Sequence, residues 1–172
     1  MSADTPRRIA VLRHAKSDHP TGMGDRERPL AERGRQDASA AGRWLAASAI
    51  APDLCLCSYA TRTRETWALA SRELPRQPTT VYAERVYEAS YTDLVELLRE
   101  TSDEVGTVLV VGHNPGMHAL AIGLAGDNIQ NFREPSLLSH FPTSAIAVLT
   151  ANGSWGDLEE GTCSLDDFWT PR

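Results

Sequence analysis

Ile9-Ala10-Val11-Leu12-Arg13-His14-Ala15 is an apolar run that ends abruptly in an arginine and a histidine. Aliphatic and β-branched residues bunched this close to the N-terminus predict a strand buried on both faces, the first central strand of a parallel sheet. Arg13 and His14 then fall at the strand's carboxyl end, where the loops of an open α/β sheet build the crevice that binds ligands. A neutral imidazole beside a fixed guanidinium can attack phosphorus while the arginine holds the phosphoryl oxygens. The same residues also read as an ordinary strand end with an exposed histidine. On this stretch alone the two readings stand level.

A second stretch repeats the pattern. Thr107-Val108-Leu109-Val110-Val111 reads as a strand that runs into Gly112-His113-Asn114-Pro115-Gly116, again delivering a histidine at its end. Pro115 marks the start of a helix over residues 117–126, and Gly112 is read as letting the backbone approach a ligand closely. Between the two stretches, residues 16–27 form a polar loop with Pro20, Gly22 and Gly24, and residues 29–49 a helix with Ala31, Ala38, Ala41, Trp44 and Leu45 inward. Pro52 opens a strand over residues 53–57, which stops at Ser58-Tyr59-Ala60-Thr61-Arg62. Ser58 or Thr61 is expected to cap a helix running to about residue 73, with Arg62 in its first turn, where free backbone N–H groups favour an anion. A weaker strand at 80–83, a loop at 84–90 carrying Glu84 and Glu88, and an amphipathic helix at 91–100 complete this part.

Beyond residue 127 the chain reads as irregular to 142, then as a strand at 145–150. The Asn152-Gly153 turn signal predicts that residues 155–158 pair back as an antiparallel edge, leaving residues 168–172 as a packed tail. No repeat or linker is visible, so residues 1–172 are read as a single domain.

Acidic residues outnumber basic ones, 23 to 17, for a formal charge of −6 in 172 residues. The whole-molecule field therefore offers no general attraction to nucleic acid or anionic membranes, and neither is expected as a partner. No apolar run approaches the ~20 residues of a membrane span, and residues 1–8 carry no signal-like apolar segment, so a cytoplasmic protein is the expectation. Cys55 and Cys57 lie two apart and point to one face of a strand, which suits core thiols rather than a redox or zinc motif, and Cys163 has no visible partner.

Taken together, Leu12-Arg13-His14-Ala15, Ser58 through Arg62, and Val111-Gly112-His113 resemble the three signatures of the histidine phosphatase superfamily, which includes the cofactor-dependent phosphoglycerate mutases. Within it, Arg13-His14-Ala15-Lys16-Ser17, Asp25-Arg26-Glu27-Arg28-Pro29-Leu30 with Arg33-Gly34, Gly112-His113-Asn114-Pro115 and Thr143-Ser144-Ala145-Ile146-Ala147 resemble the SixA-type phosphohistidine phosphatase branch. The match spans nearly the whole chain. It implies a three-layer α/β/α sandwich with a mostly parallel central sheet and a metal-independent, cofactor-free phosphatase. The implied partner is a phosphohistidine protein or a small phosphate ester.

Carried over position by position, the resemblance makes His14 the nucleophile, Arg13 and Arg62 the holders of nonbridging oxygens, and His113 a donor to the same oxygens. Two flanking cations should keep His14 neutral, with its other ring nitrogen held by an acceptor, expected to be backbone. Glu88 is the candidate general acid, with Glu84 behind it. Lys16, Ser17 and Asn114 flank the pocket as candidate substrate-binding residues, while Asp25 and Arg28 are read as bracing the loop as a charge pair. His19, His118 and His140 match no motif. A metal-dependent phosphatase is disfavoured, since HExxH and DxD spacings are absent. A silent phosphoprotein-binding module is expected to have lost its nucleophile, and a mutase needs insertions that this chain is too short to hold.

Overall fold

The computed structural model describes residues 5–132 and 136–172. Six strands, β1 (Arg7–Arg13), β2 (Leu54–Ser58), β3 (Thr79–Ala83), β4 (Thr107–Gly112), β5 (Ile146–Ala151) and β6 (Cys163–Trp169), form one sheet in the order β3-β2-β4-β1-β5-β6. The first four run parallel, and β5 is antiparallel to both of its neighbours. β1 sits between β4 and β5, and Ile9 through Leu12 are fully buried, which accounts for the unbroken apolar run.

The period-2 alternation of β1 divides two cores. Ile9 and Val11 pack with α3 (Tyr91–Arg99) and α4 (Gly116–Ala125) through Leu94, Leu98, Met117 and Leu120. Ala10 and Leu12 face the opposite way, toward α1 (Glu32–Ala47) and α2 (Thr61–Ser71), among Leu45, Trp67, Cys55 and Cys57. Helices on both faces of a mostly parallel sheet give the three-layer arrangement expected. Cys55 and Cys57 share one face as buried thiols, and burial raises both above the ordinary thiol range.

Several boundaries differ from those expected. α1 begins at Glu32 because Pro29-Leu30-Ala31 stay extended: Leu30 bridges to Ser17, and the Ala31 N–H donates to the Lys16 carbonyl at 2.9 Å. Neither Ser58 nor Thr61 caps α2. Its N-cap is Ala60, and the buried Ser58 hydroxyl turns instead to the His113 ring. A Cβ on Gly112 would meet the Met117 and Val86 side chains at 2.8–3.1 Å, so this glycine serves core packing rather than ligand approach.

The expected antiparallel edge at 155–158 is a 3-10 turn, Trp155–Asp157, and the partner of β5 is Cys163–Trp169, which includes part of the expected tail. Trp155 is fully buried, with its indole N–H on the Val105 carbonyl at 2.8 Å. Burying such a ring is worth roughly 3 kcal/mol, more than the ~1 kcal/mol net of an edge hydrogen bond, so the turn dives into the core. The sequence signal for β6 is blurred by Asp166 and Asp167, which face solvent.

Candidate active site

The parallel strands deliver their carboxyl ends to one edge of the sheet, and the backbone there is tightly held. The His14 N–H donates to the Gly112 carbonyl of β4 at 2.9 Å, and the Ser144 N–H bridges the Arg13 and His14 carbonyls at 3.1 Å each. Ser144 does this from the left-handed region at φ 65°, a conformation uncommon for residues other than glycine. The next residue is fixed as well, since the Ala15 N–H donates to the Thr66 hydroxyl of α2 at 2.9 Å.

His14 is buried, only 7% exposed, which removes the reading of an ordinary strand end with an exposed histidine. Its Nδ1 lies 2.8 Å from the Ala15 carbonyl. A carbonyl only accepts, so Nδ1 carries the proton and Nε2 keeps its lone pair. Burial pushes the imidazole down to about 3. The Ala15 hydrogen bond opposes that shift, and His113, Arg62 and Arg13 add smaller lowering effects. The neutral state expected from flanking cations is present, but desolvation is its principal cause.

Three side chains surround this imidazole. Arg13 donates from Nη1 to the Phe141 carbonyl at 3.0 Å. Arg62, in the first turn of α2 and 6% exposed, donates from Nη1 to the Asp25 carbonyl at 2.7 Å and from Nη2 to Asp25 Oδ2 at 3.1 Å. The His113 ring centre lies 5.3 Å from that of His14, and burial and then Arg62 hold it down to about 4. His113 Nε2 sits 2.7 Å from Ser58 Oγ, which already accepts the Ala60 N–H at 3.3 Å. If the Ser58 hydroxyl donates to Nε2, the His113 proton sits on Nδ1, the tautomer that makes this ring a donor toward the cleft. His113 Nδ1, Arg13 Nε and Arg62 Nε are buried and find no hydrogen-bond partner among the described residues. Arg7 Nε, Tyr91 Oη and Ser144 Oγ are orphaned as well, but Arg13, Arg62 and His113 also line a single cleft, an arrangement of donors that suits an anion.

A cleft of about 330 Å³ brings together Arg13, His14, Lys16, Ser17, Arg62, His113 and Asn114, along with His19, Arg28 and Thr143. An adjoining hollow of about 510 Å³ shares Arg62, His113 and Asn114 and adds Asp25 and Glu88. All the candidate residues except Glu84 therefore line one continuous depression. Glu84 is tied to Arg26 at 2.6 Å on the surface. Glu88 is exposed, with a left-handed φ of 54°. The Asn114 amide is already engaged, donating to the Phe141 carbonyl at 2.8 Å and accepting the His118 N–H at 3.3 Å. Arg28 and Asp25 do pair, at 3.1 Å, and Arg28 also donates to Ser17 Oγ and to the Asp18 carbonyl. Sequence reading passed over Ser58 as a partner of His113, Tyr87 against the His113 ring, and His19 at the rim. Ser58 stands in the Ser58–Arg62 signature and His19 lies five residues beyond His14 in a polar loop, but neither signal names its partner. Among the described residues, no group of three or more His, Cys, Asp or Glu is disposed to hold a metal ion.

The family model for the histidine phosphatase superfamily (branch 1) matches residues 9–106. The chain belongs to this superfamily. An uncharacterized protein of Mycobacterium tuberculosis is 44% identical over 94% of this chain and all of its own length. Among solved structures, a protein from Agrobacterium tumefaciens described as a candidate phosphohistidine phosphatase SixA is 32% identical with TM-score 0.82, covering 96% of this chain and 99% of that one. A protein of the same description from Nakamurella multipartitia is 28% identical with TM-score 0.86, covering 99% of each chain. The protein histidine phosphatase SixA complexed with tungstate shares the fold at TM-score 0.78 and 20% identity, over 95% of this chain and 96% of that one. Arg13, His14, Arg62 and His113 thus converge at the strand ends of a histidine phosphatase fold.

Proposed function

We propose that this chain is a metal-independent phosphatase that accepts a phosphoryl group on His14 Nε2 and releases it to water, with phosphohistidine in proteins as its principal substrate. The observation that carries the reading is the neutral His14 lone pair set among the unmatched donors of Arg13, Arg62 and His113. In the first step Nε2 forms a bond to phosphorus as the bond to the leaving nitrogen or oxygen breaks. The leaving group takes a proton, for which Glu88, a carboxyl group lining the adjoining hollow, is the candidate donor. Water then attacks the phosphohistidine, Glu88 accepts its proton, and inorganic phosphate leaves with His14 restored. Arg13, Arg62 and His113 stabilise the charge spread over the equatorial oxygens in both steps, and a single donor of this kind is worth about 10²–10³ in kcat. The donors are held by backbone carbonyls, by the Asp25 carboxylate and by Ser58 before substrate arrives, which avoids reorganisation during the reaction.

The preference for a phosphoprotein rests on access and on leaving-group chemistry. Residues 84–106, between β3 and β4, contain α3, which packs against α4 rather than closing over the cleft. An imidazole departs readily once protonated and asks less of a general acid than an alkoxide does. The SixA assignment of the relatives at 28% and 32% identity supports the same substrate. Lys16, exposed at the rim and in no ion pair among the described residues, favours a second reading, a small phosphate monoester bearing another anionic group.

The test compares kcat/KM for a phosphohistidine-bearing protein with that for sugar and nucleotide monophosphates, all in excess EDTA. The phosphohistidine protein is expected to be the better substrate, with no loss to chelation. A tenfold preference for a small monoester, about 1.4 kcal/mol in transition-state binding, would replace the reading with the second one.

A further inference from the structure

We propose that Asp25 is a positioning residue that holds Arg62 in its phosphoryl-binding orientation, with Tyr87 as the clamp that fixes Asp25. The inference rests on the functional reading above and adds to it the device that orients one of its two arginines.

Asp25 reaches Arg62 across 37 residues of sequence and engages it twice, its carbonyl taking Nη1 and its carboxylate taking Nη2. The same carboxylate accepts the Tyr87 hydroxyl and, through Oδ1, Arg28 Nη1 at 3.1 Å. The Tyr87 hydrogen bond, with those from Arg62 and Arg28, holds the Asp25 carboxyl far below the usual carboxylate range, so it is ionised. Tyr87 is itself held. Its ring stands edge-on to His113 at 5.3 Å, and the Arg26 guanidinium lies 4.4 Å from its centre while pairing with Glu84. One carboxylate therefore joins Arg62 directly, and His113 through Tyr87, into a single braced unit.

A negative charge here is unhelpful for binding alone, because it repels an incoming phosphoryl dianion. Its value is directional. A guanidinium has five N–H donors in a rigid plane, and committing one on each Nη to Asp25 leaves Nε–H and one hydrogen on each Nη for substrate. The device thus gives up ground-state affinity for transition-state alignment, and the two are separable by kinetics.

The experiment measures kcat and KM on p-nitrophenyl phosphate, tungstate affinity and thermal midpoint for wild type, Asp25→Asn and Tyr87→Phe. The proposal expects Asp25→Asn to lower kcat at least tenfold while KM and the tungstate Kd stay level or fall. Tyr87→Phe, which keeps the ring against His113 and Arg26, should lower kcat at least threefold in the same pattern, and it carries the test if Asp25→Asn does not fold. The Arg62 Nε–H resonance should be sharp in wild type and broadened in both variants, a readout independent of turnover. A kcat within twofold of wild type overturns the proposal, as does a kcat loss with parallel rises in KM and tungstate Kd, which would mark a collapsed cleft. A wild type that shows the sharp resonance but hydrolyses no phosphorylated substrate would defeat the functional reading and leave the clamp standing.

Discussion

His14 and His113 hold their neutral forms chiefly through burial, and this ties the chemistry to stability. Both have folded pKa values, about 3 and about 4, below the ordinary 6.5. Between those limits the unfolded chain binds protons that the folded protein refuses, so stability rises with pH across the window and is lost as pH falls from about 6.5 toward 3. The two groups together should cost a few kcal/mol, to order of magnitude, by pH 4. Urea denaturation at pH 7 and pH 5 should give a shallower pH dependence for His14→Ala than for wild type, and equal dependences would contradict the assignment of burial as the cause. At Glu88 the expected effect is selective: Glu88→Gln should slow hydrolysis of an alkyl phosphate at least tenfold more than that of phosphohistidine, since only the alkoxide needs a strong proton donor. Equal slowing on both would remove Glu88 as the acid. Arg13, His14 and His113 were legible because each sits at or just past a strand end marked by an apolar run, Arg62 because it stands in the helix turn that follows such a strand, and their roles because these stretches resemble the family signatures. Ser58 and Tyr87 were not, because a hydroxyl's partner depends on contacts between segments far apart in sequence.

The helices set the distances within the site through close backbone approaches. A Cβ on Gly42 would lie 2.2 Å from the Ala70 carbonyl of α2, and one on Gly34 would lie 2.0 Å from the Lys16 carbonyl, two residues past His14. Both contacts are with backbone, which cannot swing aside. Gly42→Ala and Gly34→Ala should each destabilise the protein by about 1–3 kcal/mol. Only Gly34→Ala should also lower kcat/KM, because its strain falls on the loop that carries Lys16 and Ser17. Denaturation curves paired with kcat/KM check this, and full activity in Gly34→Ala would sink it. The central strands were readable from both-face burial, while β6 was hidden by its Asp166-Asp167 pair and replaced in expectation by a turn that Trp155 draws into the core. The start of α1 was missed because Pro29 suits a first helical turn, whereas the bridge from Leu30 to Ser17 keeps the chain extended there.

Across the whole molecule, a net charge of −6 coexists with a cleft that gathers Arg13, Lys16, Arg28 and Arg62. The gathering of cations is therefore a local construction made by topology. Parallel strands β1 and β4 lie adjacent in the sheet though nearly a hundred residues apart in sequence, and that adjacency brings His14 and His113 together. A parallel sheet could be inferred from the apolar strands and the three layers from the family resemblance, but the fixed donors, the buried imidazoles and the hydrogen bonds of Asp25 to Arg62 emerge only from packing. The most direct measurement is rapid acid-free quenching of the enzyme with ³²P-labelled phosphohistidine protein, followed by peptide mapping of the trapped label. Covalent, acid-labile and alkali-stable phosphate on the peptide containing His14, formed at the rate of turnover and absent from His14→Ala, is the predicted result. Steady turnover with no label on that peptide, or undiminished turnover by a folded His14→Ala protein, would contradict the account.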